Sequence, residues 1–328
     1  MRTRHVERTG WDLAEVGFGS WQLGADWGPV SDGDAIATLH AALGGGVNFI
    51  DTADVYGDGR SEQLIARALQ GRGGTRPLVA TKLGRRSHPH IAASYTRENM
   101  TAFVERSLRN LATDALDLVQ VHSPPTDVFY QPDTFEALEH LVWQGKIRRY
   151  GASVEKVEEG IKALEYPGLA SVQIIFNIFR QRPAELFFKL AKERGVAIIA
   201  RVPLASGLLS GKFTSTTTFD ASDHRIYNRH GEAFDVGETF AGVPYEIGLA
   251  AVEELRPLVP AGASMAQFAL RWILMHDAVS VVIPGAKSID QARDNLRAAG
   301  LPPLSPETMK RVAAIYVARI KPHVHQRW

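Results

Sequence analysis

The chain has 328 residues, 37 basic against 36 acidic side chains and a formal charge of +1, with 45% hydrophobic and 22% charged residues. That balance is ordinary for a globular protein and leaves no electrostatic footprint for nucleic acid or for an acidic membrane surface. The absence of cysteine excludes disulfides, thiolate nucleophiles and Cys-ligated zinc or iron–sulfur centres.

Met1–His5 lacks the apolar stretch of a secretory signal, and no apolar run approaches the roughly 18 residues of a membrane helix, so a cytoplasmic enzyme is expected. Residues 4–13 read as a small hairpin turning at Thr9-Gly10. Apolar, β-branched runs then follow near 16–20, 47–51 and 78–82. Behind Thr96, a good N-cap, the spacing of Met100, Phe103, Val104, Leu108 and Leu111 predicts a helix over 97–111. Further strand-like runs lie near 116–122, 147–153 and 171–176. A helix over 183–194 is expected next, with Pro183 at its first position and Gly195 just past its end. A seventh run lies near 196–202 and an eighth near 279–284, and Ser305-Pro306 opens a last helix. Between these last two runs, residues 212–243 are polar, Gly/Thr/Asp-rich and aperiodic, which reads as a lid or binding loop. Eight strands with helices between them predict an α/β fold, a closed (β/α)8 TIM barrel, with the hairpin at its floor. No linker marks a boundary, so residues 1–328 form one domain. No G-x-G-x-x-G stands between a strand and a helix, which argues against a Rossmann domain.

In a barrel, chemistry belongs at the C-terminal ends of the strands. There the sequence places Asp51 with Tyr56 close behind, Lys82, His122, Ser153, Gln173 with Asn177, Arg201 and Gly285. Each could be structural: Asp51 a turn former, Tyr56 an exposed turn tyrosine beside Gly57, His122 a rim histidine. Lys82 is harder to dismiss, because a buried ammonium without a partner is costly. Taken together, an Asp, a Tyr, a Lys and a His on adjacent strand ends form one constellation. A phenol has an unperturbed pKa of about 10, too high for efficient proton delivery at neutral pH, and a neighbouring ammonium should lower it. Asp51 would hold Lys82 charged, and His122 would steer a substrate oxygen toward Tyr56. This is an acid for a carbonyl oxygen with no nucleophile supplied, so a hydride from a nicotinamide fits.

The segments Asp51-Thr52-Ala53-Asp54-Val55-Tyr56-Gly57, Thr81-Lys82, Val121-His122, Gly151-Ala152-Ser153 and Ile283-Pro284-Gly285-Ala286-Lys287 resemble the aldo-keto reductase superfamily, in order and over about residues 10–300. The pattern is most similar to bacterial members and to the related potassium-channel β-subunits. The resemblance implies NADPH-dependent reduction of a small aldehyde or ketone. Tyr56 would be the general acid, Lys82 and Asp51 its tuning pair, and His122 the orienting residue. It implies that Ser153 and Gln173 grip the nicotinamide carboxamide, with Asn177 close by. Pro203, Leu204, Ser206, Gly207, Leu208 and Lys212 match the family's diphosphate loop, and Arg225 an arginine that closes on the phosphates. Lys287 would meet the 2′-phosphate, with Gln291, Asp294 and Asn295 at adenine and ribose; Ser288 and Gln291 also read as a helix cap. Where many members carry a flat aromatic beneath the nicotinamide, this chain has Arg201. A guanidinium can stack, but its charge should disfavour the oxidised ring. The same resemblance leaves room for a rival: a regulatory subunit that holds NADPH and senses redox state with little turnover.

The stretch ending Gly207–Lys212 is one residue short of a P-loop, and Phe213 stands where a magnesium-binding hydroxyl is needed. The pairs His88/His90 and His323/His325 lack converging partners, so no metal is expected. G-x-S-x-G is absent. Trp21, Trp27, Val55, Phe129 and Tyr130 are expected to wall a pocket for a small carbonyl substrate. Arg85, Arg86, Tyr227 and Arg229 could admit an anion but read as solvated loop residues.

Overall fold

The computed structural model describes residues 1–24 and 27–328. Strands β1 (Thr3–Val6) and β2 (Trp11–Ala14) pair antiparallel, with a turn through Thr9 and Gly10 as the sequence predicts. Eight parallel strands follow: β3 (Phe18–Gly19), β4 (Phe49–Asp51), β5 (Leu78–Leu83), β6 (Leu118–His122), β7 (Tyr150–Ser153), β8 (Leu169–Ile175), β9 (Ala197–Arg201) and β10 (Val281–Val282). They hydrogen-bond in chain order, and the parallel bridges Val16 to Val282 and Gly19 to Gly285 join the two edges, so the sheet is a (β/α)8 barrel.

Side-chain alternation along the strands builds the site. Phe49, Ala80, Leu118, Ala197 and Val281 form an apolar layer inside the barrel, over Val6 and Leu13 of the hairpin. Stepping two residues at a time along the same inward face leads from Phe49 to Asp51, from Ala80 to Lys82, and from Leu118 through Gln120 to His122. On β9 it leads from Ala197 through Ile199 to Arg201. Register aligns His122 with Ser153 and Ser153 with Gln173, so the polar residues form one rim. The opposite parity (Ile50, Val79, Val119, Val172, Ile198) packs under the helices.

Helix Arg97–Leu111 forms as predicted, with the Thr96 hydroxyl accepting the Asn99 N–H at 3.2 Å. Ser305 caps the helix Pro306–Ile315 in the same way. The expected helix over 183–194 is instead broken into a turn at Arg182–Ala184 and a helix Phe187–Glu193, because Leu186 leaves the helical region at φ −133°. Residues 212–243 contain only short turns, including His224–Tyr227, Val236–Glu238 and Phe240–Gly242. Among the described residues no helix is long and apolar enough to cross a membrane.

Candidate active site

Tyr56 follows β4 on a tight turn. A Cβ at Gly24 would stand 2.6 Å from the Tyr56 carbonyl carbon, so only glycine lets the preceding segment press this close. The Trp21 ring stacks on Tyr56, with centroids 5.9 Å apart and planes 16° apart. Lys82, almost fully buried at 1% exposure, donates to Asp51 Oδ2 at 2.6 Å, to the Thr52 carbonyl at 2.8 Å and to the Tyr56 hydroxyl at 3.3 Å. Its three N–H bonds are thus all used. The second Asp51 oxygen accepts from Gln173 at 2.7 Å and Gln120 at 3.3 Å. The His122 ring meets Tyr56 edge-on at 5.9 Å. The four residues singled out from the sequence are therefore brought together.

Their electrostatics depart from the expectation in one respect. Burial pushes the Tyr56 phenol above its ordinary value, and the Lys82 ammonium offsets this only in part. The sequence expectation of a lowered phenol pKa is corrected, because desolvation of a phenolate outweighs one ammonium already paired with Asp51. Burial pulls Lys82 down, but Asp51 and Tyr56 outweigh it and hold the ammonium above its usual range. Burial, then Arg85, Lys82 and Arg201, keeps His122 well below the ordinary imidazole value, so the ring is neutral at neutral pH.

A cavity of about 810 Å³ opens above Tyr56 and His122 and runs past Arg201 and Ser206 to Lys287 and Arg293. Trp21, Trp27, Gln173, Pro203, Leu204, Gly207, Lys212, Arg225, Gly285, Gln291, Asp294 and Asn295 line it as well. Ser153 is buried just outside the residues that line the cavity, and its hydroxyl has no protein partner among the described residues. Both Gln173 N–H bonds point to Asp51 and Gln120, so its carbonyl oxygen is what remains for a ligand. The Asn177 side chain is consumed by the Val202 carbonyl and the Phe179 N–H, and it holds the turn after β9 rather than a ligand.

Arg225 folds back on Asp223 and lies over the rings of Trp27 (4.9 Å) and Phe219 (4.3 Å). Gln291 accepts the Lys287 N–H at 2.9 Å while Ser288 caps its helix, as the capping reading expects. Asp294 is held by Ser264 at 2.9 Å and Gln267 at 2.5 Å, and Asn295 donates to the Gly285 carbonyl at 3.1 Å.

Five pocket or loop expectations are corrected. Phe129 is fully buried in the short turn Thr126–Tyr130, where it packs toward Phe135, and Tyr130 points outward beneath Lys162. Val55 is half-buried and does not wall the cavity, and Leu208 is fully buried against Gly248. Arg85 is no free loop charge: it is half-buried and held between Glu155 and Glu238. Arg86 pairs with Asp58, and Arg229 lies over Phe240 and Tyr245.

The sequence reading missed Gln120, Glu155, Glu238 and Arg293. Gln120 lies two residues before His122 on one inward face, so strand parity was the available signal. Glu238 comes from the aperiodic segment and carried none. No three His, Asp or Glu side chains converge as metal ligands among the described residues.

The model of the Aldo/keto reductase family matches residues 15–317. The chain is 30% identical over 313 residues to the uncharacterized oxidoreductase YqkF of Bacillus subtilis, covering 94% of this chain and 95% of that one. It is 30% identical over 296 residues to the aldo-keto reductase YhdN of the same organism, covering 89% and 86%. Among solved structures, the glycerol dehydrogenase AKR11B4 from Gluconobacter oxydans matches at 29% identity and a TM-score of 0.77, covering 97% of this chain and 96% of that one.

Proposed function

The chain belongs to the aldo/keto reductase family, and from that premise we propose that it reduces a small aldehyde or ketone to the alcohol with NADPH, Tyr56 delivering the proton. The observation that carries the reading is the Lys82 ammonium, 2.6 Å from Asp51 and 3.3 Å from the Tyr56 hydroxyl, at the head of a long cavity.

The residues suit a dinucleotide. The unpartnered Ser153 hydroxyl and the Gln173 carbonyl oxygen would take the carboxamide. Small residues Ser206 and Gly207 with Lys212 would take the diphosphate, and Lys287 with Arg293 would face the 2′-phosphate. Held in this way, the nicotinamide would supply the hydride for the carbonyl carbon.

The rest falls to the protein. Neutral His122 donates a hydrogen bond to the substrate oxygen and holds it toward Tyr56. Tyr56, protonated at neutral pH because burial keeps its pKa high, gives its proton to that oxygen. Lys82 stabilises the phenolate as it forms, with no reorganisation, because Asp51 already fixes it. Trp21 and Trp27 exclude water from one side of the reacting groups.

The test is NADPH consumption against a panel of aldehydes, ketones and sugars, with Tyr56→Phe as comparison. Turnover should fall by at least about 100-fold in the variant, while NADPH still quenches tryptophan fluorescence. Near-normal turnover would refute the acid assignment.

A further inference from the structure

Arg201, at the end of β9, forms part of the cavity wall but is not a free cation. Its Nη2 lies 2.8 Å from Glu155 Oε1 and donates to the Val154 carbonyl at 3.1 Å, and its Nη1 lies 3.8 Å from Glu238. Arg85 closes the ring, 3.4 Å from Glu155 and in direct contact with Glu238. Two guanidinium groups and two carboxyls therefore share one cluster at the rim.

The carboxyls are not equivalent. Glu238 contacts both arginines, which pull it down to about 2 against its burial, whereas burial and the nearby Glu238 charge push Glu155 up to about 8 despite Arg201. The second Glu155 oxygen is buried and meets no N–H donor among the described residues, while the Glu155 carboxyl shares a side-chain hydrogen bond with Glu238, which two carboxyls can make only when one of them carries a proton. Other charges facing Glu155 are Asp235 beside Glu238, Arg180 after β8, and Glu159, whose Oε2 accepts the Glu155 N–H at 3.0 Å. Glu155 also stands two residues from Ser153, whose orphan hydroxyl was assigned above to the nicotinamide carboxamide.

We propose that Glu155 exchanges a proton with the medium according to the oxidation state of the bound nicotinamide: protonated beside the uncharged reduced ring, ionised beside the oxidised cation. This inference rests on the cofactor reading above. The balance is simple: binding of NADP+ to the protonated protein gives the carboxylate complex plus one proton in solution, and NADPH binding releases none from this group. A new positive charge beside a buried carboxyl favours its ionised form. Arg201 thus does not set the nicotinamide's redox preference alone, because Glu155 supplies the compensating negative charge on demand.

The sign follows from linkage. Below about pH 8, NADP+ must displace a proton that NADPH leaves in place, so the ratio of their Kd values, NADP+ over NADPH, should fall as pH rises, by at most about tenfold per pH unit, and level off above about pH 8. Taking the ratio cancels the titration of the phosphates both nucleotides share.

The experiment measures both Kd values from pH 6 to 9 by fluorescence, on the unaltered protein and on Glu155→Gln. Calorimetry of the unaltered protein in two buffers of different ionisation enthalpy counts the released proton directly, whatever the variant's stability. Expected are a larger proton release on NADP+ binding than on NADPH binding below about pH 8, by up to one proton, and a ratio that loses its slope in Glu155→Gln. Asp54 is a second buried carboxyl, with both oxygens unpartnered among the described residues, pushed by burial to about 7 and two residues from Tyr56, so Asp54→Asn must keep the slope. A flat ratio, equal proton release with both nucleotides, or loss of the slope in Asp54→Asn instead would overturn the inference. Failure to bind either nucleotide at any pH would overturn the cofactor reading, and this inference with it.

Discussion

Tyr56 sits under two opposing influences, burial raising its pKa and Lys82 lowering it. In the proposed reaction the ammonium would therefore act on the phenolate as it forms more than on the resting phenol. Replacing Lys82 by Met should lower kcat by about 10²–10⁴-fold while NADPH still binds. The same change strands the Asp51 charge with only the amide donors of Gln120 and Gln173, so urea unfolding should report a loss on the order of 3–5 kcal/mol. His122 makes a second prediction. Its pKa is held well below the ordinary value, so the ring stays neutral from about pH 6 to 8, and kcat/KM should show no inflection of its own there. An inflection in that range that disappears in His122→Gln would contradict the assignment. Phe129 and Leu208 teach the limit at this scale: an apolar side chain next to a site motif reads the same in sequence whether it walls the cavity or packs beneath it.

At the scale of elements, strand parity is what converts a pattern into a site. Inward residues that are apolar at the floor and polar at the rim place Asp51, Lys82, His122 and Arg201 on one ring without long-range information. Caps work locally too, as at Thr96, Ser288 and Ser305. The helix Ile289–Arg297 presents its capped N-terminus beside Lys287 at the far end of the cavity. Lys287→Ala should therefore raise KM for NADPH by about 10- to 100-fold, the worth of one charge-assisted hydrogen bond, and leave KM for NADH nearly unchanged. Equal effects on both would remove the phosphate role. The expected helix over 183–194 breaks for a reason that the proline–glycine rule does not contain: Phe187 is fully buried against Gly160, and the chain bends at Leu186 to put it there.

The whole molecule holds segment 212–243 over the rim through a residue far away in sequence. Trp328 donates from its indole to Asp235 at 2.9 Å, fills the space beside Gly242, and lies under the Arg180 guanidinium at 4.0 Å. Asp235 and Glu238 belong to one short turn, so this anchor keeps Glu238 against Arg85 and Arg201. Trp328→Ala should cost roughly 3–5 kcal/mol in stability, and limited proteolysis should cut faster within 212–243. An unchanged cleavage rate there would show that the segment is held without Trp328.

The sequence by itself determined the barrel, its floor hairpin, the four-residue constellation and the polar rim, because each follows from short-range rules: period-two alternation, capping and the steric demands of turns. Only the tertiary structure decided the sign of the Tyr56 shift, the pairing of Arg201 and Arg85 with Glu155 and Glu238, and the burial of Phe129. Those depend on desolvation and on charges from segments as far apart as residues 85, 155, 201 and 238, and neither dielectric surroundings nor distance between remote charges is encoded in any local pattern.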